Sequence, residues 1–373
     1  MFKPSLKTNR SLVLLLVLSI VLFAIAQNSY RHIKADFFDE KVQAAKLMNS
    51  YLEAIHNDQK LAGVEFDPID DPFQTGLIGS KLSAITTSRG VLSEKQTALN
   101  PNLAAAYIQK LKDAKVKAGD YVAVGITGSN PGANLALYAA MAVLDVEPVI
   151  ITAVSSAMYG ANSDNFTWLD VETILKRANL LKFSSSYASF GGRDDLGIGL
   201  SDSGILYMRD AMKRNNVPLL SGNSLDDNID LRMKAYQEML PAGKRYKLFV
   251  NIGGALANVG SNVNARLIPE GINRKLAEKA FEQQGTMMFF AKKNVPVLHT
   301  LRILRLAKEF DLPVAPDNMP KPGEGKIFSS RIHNVLVTSI CLFLLLAAII
   351  AVIIFDRHDR HFMANLVDPE EEL

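Results

Sequence analysis

The sequence from Val335 to Phe355, VLVTSICLFLLLAAIIAVIIF, is an apolar run of 21 residues without a charge. As an α-helix it extends about 31 Å at about 1.5 Å per residue, which matches the hydrocarbon core of a bilayer. A helix that is apolar on every face, with neither glycine nor proline, is difficult to bury in a soluble domain of this size. The run predicts a transmembrane helix within residues 331–356 and makes the lipid bilayer a partner of the chain.

Residues 12–26, LVLLLVLSIVLFAIA, form a second apolar run, which follows the basic residues Lys3, Lys7 and Arg10. The run is shorter than the roughly 20 residues of a full span, and its end, AIA, resembles a small-residue cleavage site. Residues 1–27 are therefore interpreted either as a cleaved signal peptide or as a retained signal anchor. Both interpretations send the residues that follow across the membrane.

The distribution of basic residues orients the chain in the membrane. Basic residues precede the first apolar run, while those that follow it are diluted by acidic residues, so the positive-inside rule favours a cytoplasmic amino terminus. With two spans, residues 28–330 form one extracytoplasmic body. Residues 357–373 then form a short cytoplasmic tail, which is too short to fold alone.

Charge and cysteine content exclude several classes of partner and cofactor. The chain has 41 Lys+Arg against 38 Asp+Glu, so it lacks the basic excess of a nucleic-acid-binding protein. Cys341 is the single cysteine, which excludes an intramolecular disulfide framework and a multi-cysteine metal site. The six histidines are scattered without a metal-binding motif, and no metal is expected.

The body alternates helical and strand-like segments. The clearest part starts at Tyr121, where YVAVGIT is typical of a strand, GSNPG of a turn, ANLALYAAMAVLDV of a helix and EPVIITAV of another strand. This βαβ unit requires parallel strands joined by a right-handed crossover. The alternation continues, with further strands at 246–252 and 295–300. The predicted fold class is α/β, a three-layer domain with a mostly parallel sheet.

Ligands bind beyond the carboxyl ends of the strands in open α/β sheets, so the loop GITGSNPG is the first candidate site. Its glycines and the free amides of the following helix suit an anion, which makes Thr127, Gly128, Asn130 and Gly132 candidate ligand-binding residues. The loop is neither a Rossmann nor a Walker motif, and no cofactor is predicted. A tight strand-to-helix turn capped by Ser129 or Asn130 is the alternative interpretation.

Other loops after strands supply further candidate ligand-binding residues. Ser155 and Ser156 open a long polar loop, and Asn223 follows a short strand. Gly253 and Gly254 allow a ligand to approach the main chain closely, as in a backbone cradle. A solvated loop, a helix cap and close helix packing are the respective alternatives.

A further glycine-rich loop contains Arg193 beside Asp194 and Asp195. An arginine in such a loop can bind a ligand carboxylate. Here the two neighbouring carboxylates are expected to neutralise Arg193 locally.

Ser129, several aspartates and His299 occur in the Ser, Asp, His chain order of α/β-hydrolases, which makes Ser129 and His299 candidate catalytic residues. Thr127 and Pro131 occupy the glycine positions of G-x-S-x-G, so the chain order alone supports this hypothesis. It predicts that Ser129 and His299 lie within hydrogen-bond reach, and a separation beyond roughly 8 Å contradicts it. Whether the chain is an enzyme stays open.

Several strings of this sequence resemble the poly-gamma-glutamate system protein family, membrane proteins that accompany capsule synthesis in some bacteria. The strings are GITGSNPGANLALYAA, SSAMYGANSDNFTWLD, NVPLLSGNS and NIGGALANVGS, between the two apolar segments. The resemblance covers most of the chain. It implies a place in the bacterial cytoplasmic (inner) membrane, with the main domain extracytoplasmic or periplasmic. It also implies two partners, the anionic polymer poly-gamma-glutamate and a membrane-bound synthesis complex, but it supplies no catalytic residues.

Two function classes follow. The first is a membrane-anchored accessory protein of capsule synthesis or export, which binds the polymer, another anionic envelope substrate or the ligase complex. The second is an extracytoplasmic serine hydrolase or transferase that acts on the polymer or on an envelope acyl or peptide bond. The absence of G-x-S-x-G favours the accessory protein. Because the charges of the body nearly balance, a polyanion is expected to be held by local dipoles and loops rather than by a broad basic field.

Overall fold

The computed structural model describes residues 9–277, 281 and 283–364. These residues form two compact units, one from the two ends of the chain, up to Lys34 and from Ser329, and one from Ala35–Phe328. The last residues of the predicted cytoplasmic tail, 365–373, lie outside the described part.

The bounds of the elements are as follows. The helices are α1 (Asn9–Asn28), α2 (Phe38–Leu61), α3 (Leu92–Ala98), α4 (Leu103–Asp113), α5 (Pro131–Val143), α6 (Trp168–Arg177), α7 (Asp202–Arg214), α8 (Leu225–Glu238), α9 (Leu256–Val259), α10 (Asn262–Leu267), α11 (Thr286–Lys292), α12 (Ile303–Glu309) and α13 (Val335–Ala364). The strands are β1 (Tyr30–Lys34), β2 (Thr86–Ser88), β3 (Tyr121–Thr127), β4 (Glu147–Ala153), β5 (Ser156–Ala157), β6 (Asn162–Ser163), β7 (Phe166–Thr167), β8 (Tyr187–Ser189), β9 (Tyr246–Ile252), β10 (Gly271–Asn273), β11 (Val297–Thr300) and β12 (Ser329–His333).

The first unit contains the two apolar helices α1 and α13. Each is long and apolar enough to cross a membrane, over Asn9–Asn28 and Val335–Phe355. They pack against each other and bury Ser11, Leu22 and Cys341. Large apolar side chains are exposed on both helices, as on the lipid-facing surface of a transmembrane helix. The two helices are compatible with membrane anchoring.

A two-stranded ribbon connects the carboxyl end of α1 with the amino end of α13. Strands β1 and β12 pair antiparallel, with Tyr30 opposite His333 and Lys34 opposite Ser329. The rings of Tyr30 and His333 lie 4.7 Å apart, and the Arg331 guanidinium lies 4.6 Å from the centre of the Tyr30 ring. The amino-terminal helix thus belongs to the same packed unit as the carboxy-terminal one.

The second unit contains a six-stranded sheet of order β10-β11-β9-β3-β4-β8. All neighbouring pairs are parallel except β10 with β11. The predicted βαβ unit is β3-α5-β4, in register from Tyr121 opposite Glu147 to Thr127 opposite Ala153. The α/β class with a mostly parallel sheet is confirmed.

Both faces of the central strands are covered, which explains their nearly continuous apolar sequences. Val122, Val124 and Ile126 of β3 belong to a core cluster with residues of α2, α4 and α5. Ala123, between them, belongs to a second cluster on the opposite face, with Tyr236 of α8 among its members. The alternation of side chains along β3 therefore builds two apolar layers, one on each side of the sheet.

A buried ion pair lies beside the sheet. Arg232 of α8 and Asp195 have no exposed side-chain surface, and Arg232 Nη2 lies 3.0 Å from Asp195 Oδ2. Arg232 Nη2 also donates to Ser189 Oγ at 2.6 Å, and Ser189 Oγ donates to Asp195 Oδ1 at 2.8 Å. The expectation that Asp195 neutralises Arg193 is wrong, because the long Arg232 side chain reaches Asp195 from α8.

The ion pair continues into a chain of buried amides. Arg232 Nη1 donates to Asn258 Oδ1 at 3.3 Å, and Asn258 Nδ2 donates to Asn251 Oδ1 at 2.9 Å. Asn251 Nδ2 then lies 2.7 Å from Gly253 O and 3.0 Å from His299 Nδ1. A Cβ on Gly125 would lie 2.4 Å from Asn258 Nδ2, so β3 requires a glycine at this position.

Replacement of Arg232 should test the ion pair. Arg232→Met leaves the Asp195 carboxylate buried without its cation, so we expect the free energy of unfolding to fall by about 3–5 kcal/mol. Arg177→Met breaks the exposed pair with Asp58 and should cost less than about 1 kcal/mol. Denaturant titration of the detergent-solubilised chain, followed by Trp168 fluorescence, measures both, and equal losses would contradict the prediction.

Retention of α1 is the second expectation from the fold. Because α1 packs on α13 and continues as a helix through the AIA sequence to Asn28, we expect the mature protein to keep it. Intact mass analysis of the protein purified from membranes by a carboxy-terminal tag measures this. A mass that lacks residues 1–26 would show cleavage and contradict retention.

Candidate functional site

The loops after β3 and β9 meet at the carboxyl edge of the sheet. The chain passes from β3 to β4 and β8 on one side and later to β9 and β11 on the other, which creates a topological switch point between β3 and β9. A Cβ on Gly253, whose φ is +93°, would lie 2.8 Å from Thr127 Oγ1. The structure thus brings the two predicted glycine loops together.

The loop after β3, residues 128–132, which we call the elbow, contacts a cation of the protein itself. Lys95 of α3 is buried, and its Nζ donates to Ser129 O at 2.5 Å and to Asn130 Oδ1 at 2.6 Å. A Cβ on Gly132 would lie 2.5 Å from Ala98 O, so this glycine allows α3 to pack against α5. Helix α3 therefore occupies the position of the expected anion cradle at Gly128–Gly132. The oxygen atoms of the elbow bind the amino group of Lys95 instead of an external anion.

The loop after β4 covers the same elbow from the other side. Ser156 Oγ donates to Gly128 O at 3.1 Å, and Ala161 N donates to the same carbonyl at 2.8 Å. Ser155 is buried and its N–H donates to Phe190 O at 2.9 Å. Ser155, Ser156 and Gly128 thus lie close together, in contacts that join the two loops.

The structure does not pair Ser129 with His299. Ser129 Oγ accepts a hydrogen bond from Ala157 N at 3.0 Å. His299 is fully buried, with Nδ1 3.0 Å from Asn251 Nδ2 and Nε2 3.2 Å from Ala265 O. Burial lowers the pKa of His299. Both ring nitrogens are occupied by partners other than Ser129.

The strand register separates the two residues. His299 lies opposite Asn251, which lies opposite Gly125, so His299 is two strands away from β3. Two strand spacings amount to about 10 Å. Ser129 lies beyond the end of β3, farther along the chain than the level of Gly125. The catalytic pair inferred from chain order is therefore not formed among the described residues. Strand β9 lies between β3, which precedes Ser129, and β11, which contains His299.

The remaining candidates are Asn223 and Gly254. Asn223 N donates to Asp227 Oδ2 at 3.0 Å, next to Ser224, whose Oγ caps α8 by accepting from Asp227 N at 3.1 Å. Asn223 therefore belongs to the start of α8. Gly254 is exposed, and Leu301 Cδ1, 3.6 Å away, is the nearest atom to a Cβ built on it.

Sequence reasoning missed Lys95. Burial lowers its pKa to about 8, although Glu94 acts in the opposite direction. A neutral amine has two N–H groups, which match the two oxygen acceptors of the elbow. Helix α3 is only seven residues long, so its sequence shows no periodicity that marks Lys95 as buried.

A second site, which we call the basic cleft, lies at the amino edge of the sheet. It is a cavity of about 630 Å³ beside the starts of β9 and β11. Among the residues that the structure describes, its lining contains cations from four separate loops or strand starts and no acidic residue. The cations are Lys115, Lys244, Arg245, Lys247, Arg274 and Lys293. Within the described part of the chain, none of them lies in a salt bridge.

Aromatic side chains form the inner wall of the basic cleft. Tyr236, Tyr246 and Phe290 line it, and the ring of Phe290 stacks on that of Phe249 at 4.7 Å. Tyr236 Oη donates to Val124 O at 2.8 Å, and Tyr246 Oη donates to Tyr236 O at 2.5 Å. Because both hydroxyl protons are used internally, the cleft offers a ligand positive charge and apolar surface.

The described residues contain no cluster of three or more His, Cys, Asp or Glu side chains able to hold a metal ion.

Comparison with known proteins gives no match to a family model, to a curated protein or to a solved structure.

The burial of Lys95 should appear as a pH dependence of stability. Between about pH 8 and pH 10.5 the unfolded chain holds the Lys95 proton and the folded chain does not, so the free energy of unfolding should rise with pH. Lys95→Met removes this contribution, whereas Lys213→Met, at an exposed position, keeps it. Unfolding of the full-length chain at pH 7.5 and pH 10 measures the difference, and parallel profiles for wild type and Lys95→Met would contradict it.

Proposed function

We propose that this chain is a membrane-anchored accessory protein of bacterial poly-gamma-glutamate capsule synthesis or export, and that it binds the anionic polymer in the basic cleft. The observation that carries the binding proposal is the set of six cations around one cavity, with no carboxylate among its described lining residues. The resemblance of the sequence to the poly-gamma-glutamate system protein family supports the pathway. The two apolar helices support anchoring at a membrane. The basic residues before the first apolar run favour an extracytoplasmic α/β unit.

The chemistry of the cleft suits a polycarboxylate. Like charges held at fixed positions raise the local concentration of a counter-charged ligand, even in a protein whose net charge is only +3. Each exposed ion pair contributes little, but a polymer with a carboxylate on every residue engages several cations together and can rebind along its length. Met233, Leu240 and Val295, which line the cleft and are half-buried, can contact the methylene groups between the carboxylates.

Binding is the activity that the described side chains support better than hydrolysis. The Ser129 hydroxyl accepts a hydrogen bond from Ala157, and His299 is committed to Asn251 and Ala265. A base within reach of Ser129 is what the hydrolase hypothesis requires. The basic cleft needs no reacting group to hold a polymer close to the membrane.

Neutralisation of three cleft cations should weaken polymer binding. For Lys244→Gln, Arg245→Gln and Lys247→Gln combined, we expect about tenfold lower affinity for poly-gamma-glutamate, since three exposed ion pairs at about 0.5 kcal/mol each give this factor. Binding of fluorescently labelled polymer to the full-length chain in detergent measures it. The wild-type affinity should also fall with added salt.

The matched control is the combination Lys81→Gln, Lys182→Gln and Lys213→Gln, which removes the same charge at exposed positions outside the cleft lining. Its affinity should stay within about twofold of wild type. Equal loss in both variants would mean that net charge, not the cleft, governs binding. Absence of polymer binding to the folded wild type would refute the proposal.

A further inference from the structure

A cavity of about 590 Å³, which we call the acidic cleft, lies at the carboxyl edge of the sheet. One wall is formed by the end of α2 and the loop after it, and the other by the segment 160–166 after β4. The loop contributes Glu65, Asp67, Asp70 and Asp71 to the lining. No lysine or arginine is among the described residues that line the cleft, so its charge is opposite to that of the basic cleft.

Within the described part of the chain, the carboxylates of the acidic cleft form no ion pair. Asp71 accepts from Gly76 N at 2.7 Å, and Asp67 Oδ1 accepts from Ile69 N at 2.7 Å. In the described residues none of the four acidic side chains forms a salt bridge. Asp71 and Asp67 therefore shape the loop, while the negative charge of the cleft stays unneutralised.

Asn162 gives an independent indication of what the cleft binds. It lines the cleft and is fully buried, and its Nδ2 donates to Ser80 O at 2.7 Å and to Thr86 Oγ1 at 2.9 Å. Among the described residues, its Oδ1 has no hydrogen-bond partner. A buried acceptor without a donor is costly, and a ligand that donates hydrogen bonds would relieve this. Asn162 Oδ1 and the carboxylates therefore favour the same kind of ligand, a cation that donates hydrogen bonds.

Exposed aliphatic side chains occur in the same segment of the chain as the acidic residues. Leu61, at the end of α2, is 90% exposed, and Ile69, between Asp67 and Asp70, is 81% exposed. Val64 lines the cleft itself and is 42% exposed. A small amine held inside the cavity would leave these side chains in water, whereas a peptide with aliphatic residues beside its cation would cover them.

We propose that the acidic cleft binds a cationic segment of a partner protein, in which a lysine or arginine enters the cavity and neighbouring aliphatic side chains pack on Leu61, Val64 and Ile69. The carboxylates of Glu65 and Asp70 attract the cation. This interaction is independent of polymer binding, because it uses the other edge of the sheet and the opposite charge.

The test uses a fluorescein-labelled peptide in which three lysines alternate with leucines, and its fluorescence anisotropy with the full-length chain in detergent. Wild type should bind it, and Glu65→Gln, Asp67→Asn and Asp70→Asn combined should lower the affinity about tenfold. The amides keep the loop's hydrogen-bond acceptors. Replacement of the leucines by serine should also weaken binding to wild type.

The control removes three exposed acids elsewhere, by Asp202→Asn, Asp210→Asn and Asp317→Asn, and should leave peptide affinity within about twofold. An unchanged denaturation midpoint of the Glu65→Gln, Asp67→Asn, Asp70→Asn protein, followed by Trp168 fluorescence, would show that it is folded. Equal peptide affinity of wild type and that protein would overturn the proposal. So would a serine-containing peptide that binds as tightly as the leucine one, since the cleft would then hold only the amine.

Discussion

The buried ion pair of Arg232 and Asp195 imposes a condition that much of the carboxyl edge satisfies. Two charges without contact with water need hydrogen bonds to every remaining donor and acceptor, or their desolvation is not offset. Ser189, Asn258 and Asn251 supply these bonds in sequence and so fix the loops after β8 and β9 relative to α8. These buried polar groups form hydrogen bonds with one another. The two clefts differ from them, because each groups open charges of one sign.

The two clefts show how a nearly neutral chain can contain strong local fields. The basic cleft collects cations from the loops before β9 and β11 and from the end of α4, and the acidic cleft collects carboxylates from the loop after α2. They lie at opposite edges of one parallel sheet, so their charges do not neutralise each other by contact. Net charge reports the sum over the surface, whereas binding depends on the field at one place.

Short-range patterns predicted the scaffold, and long-range contacts decided the sites. YVAVGIT and EPVIITAV predict β3 and β4 because each is a compact apolar run next to glycine or a helix, a signal contained within a few residues. The sequence around Gly132 is the same whether this glycine makes room for a bound anion or for the backbone of Ala98. Only the position of α3 in the fold decides between these two roles. Likewise, nothing near Lys95 or Arg232 in the chain indicates the oxygen atoms that each one meets. The basic cleft was not predicted for the same reason, since its cations come from four segments that are far apart in sequence, around positions 115, 244–247, 274 and 293.

The ribbon of β1 and β12 has a mechanical consequence for any force that acts on the body of the chain. The chain leaves β1 at Lys34 and enters β12 at Ser329, and these two residues are partners at the same end of the ribbon. Tension on the body between them therefore pulls both strands in the same direction, so it neither slides one strand along the other nor peels them apart. The load passes through covalent backbone into α1 and α13 together, and each helix carries about half of it.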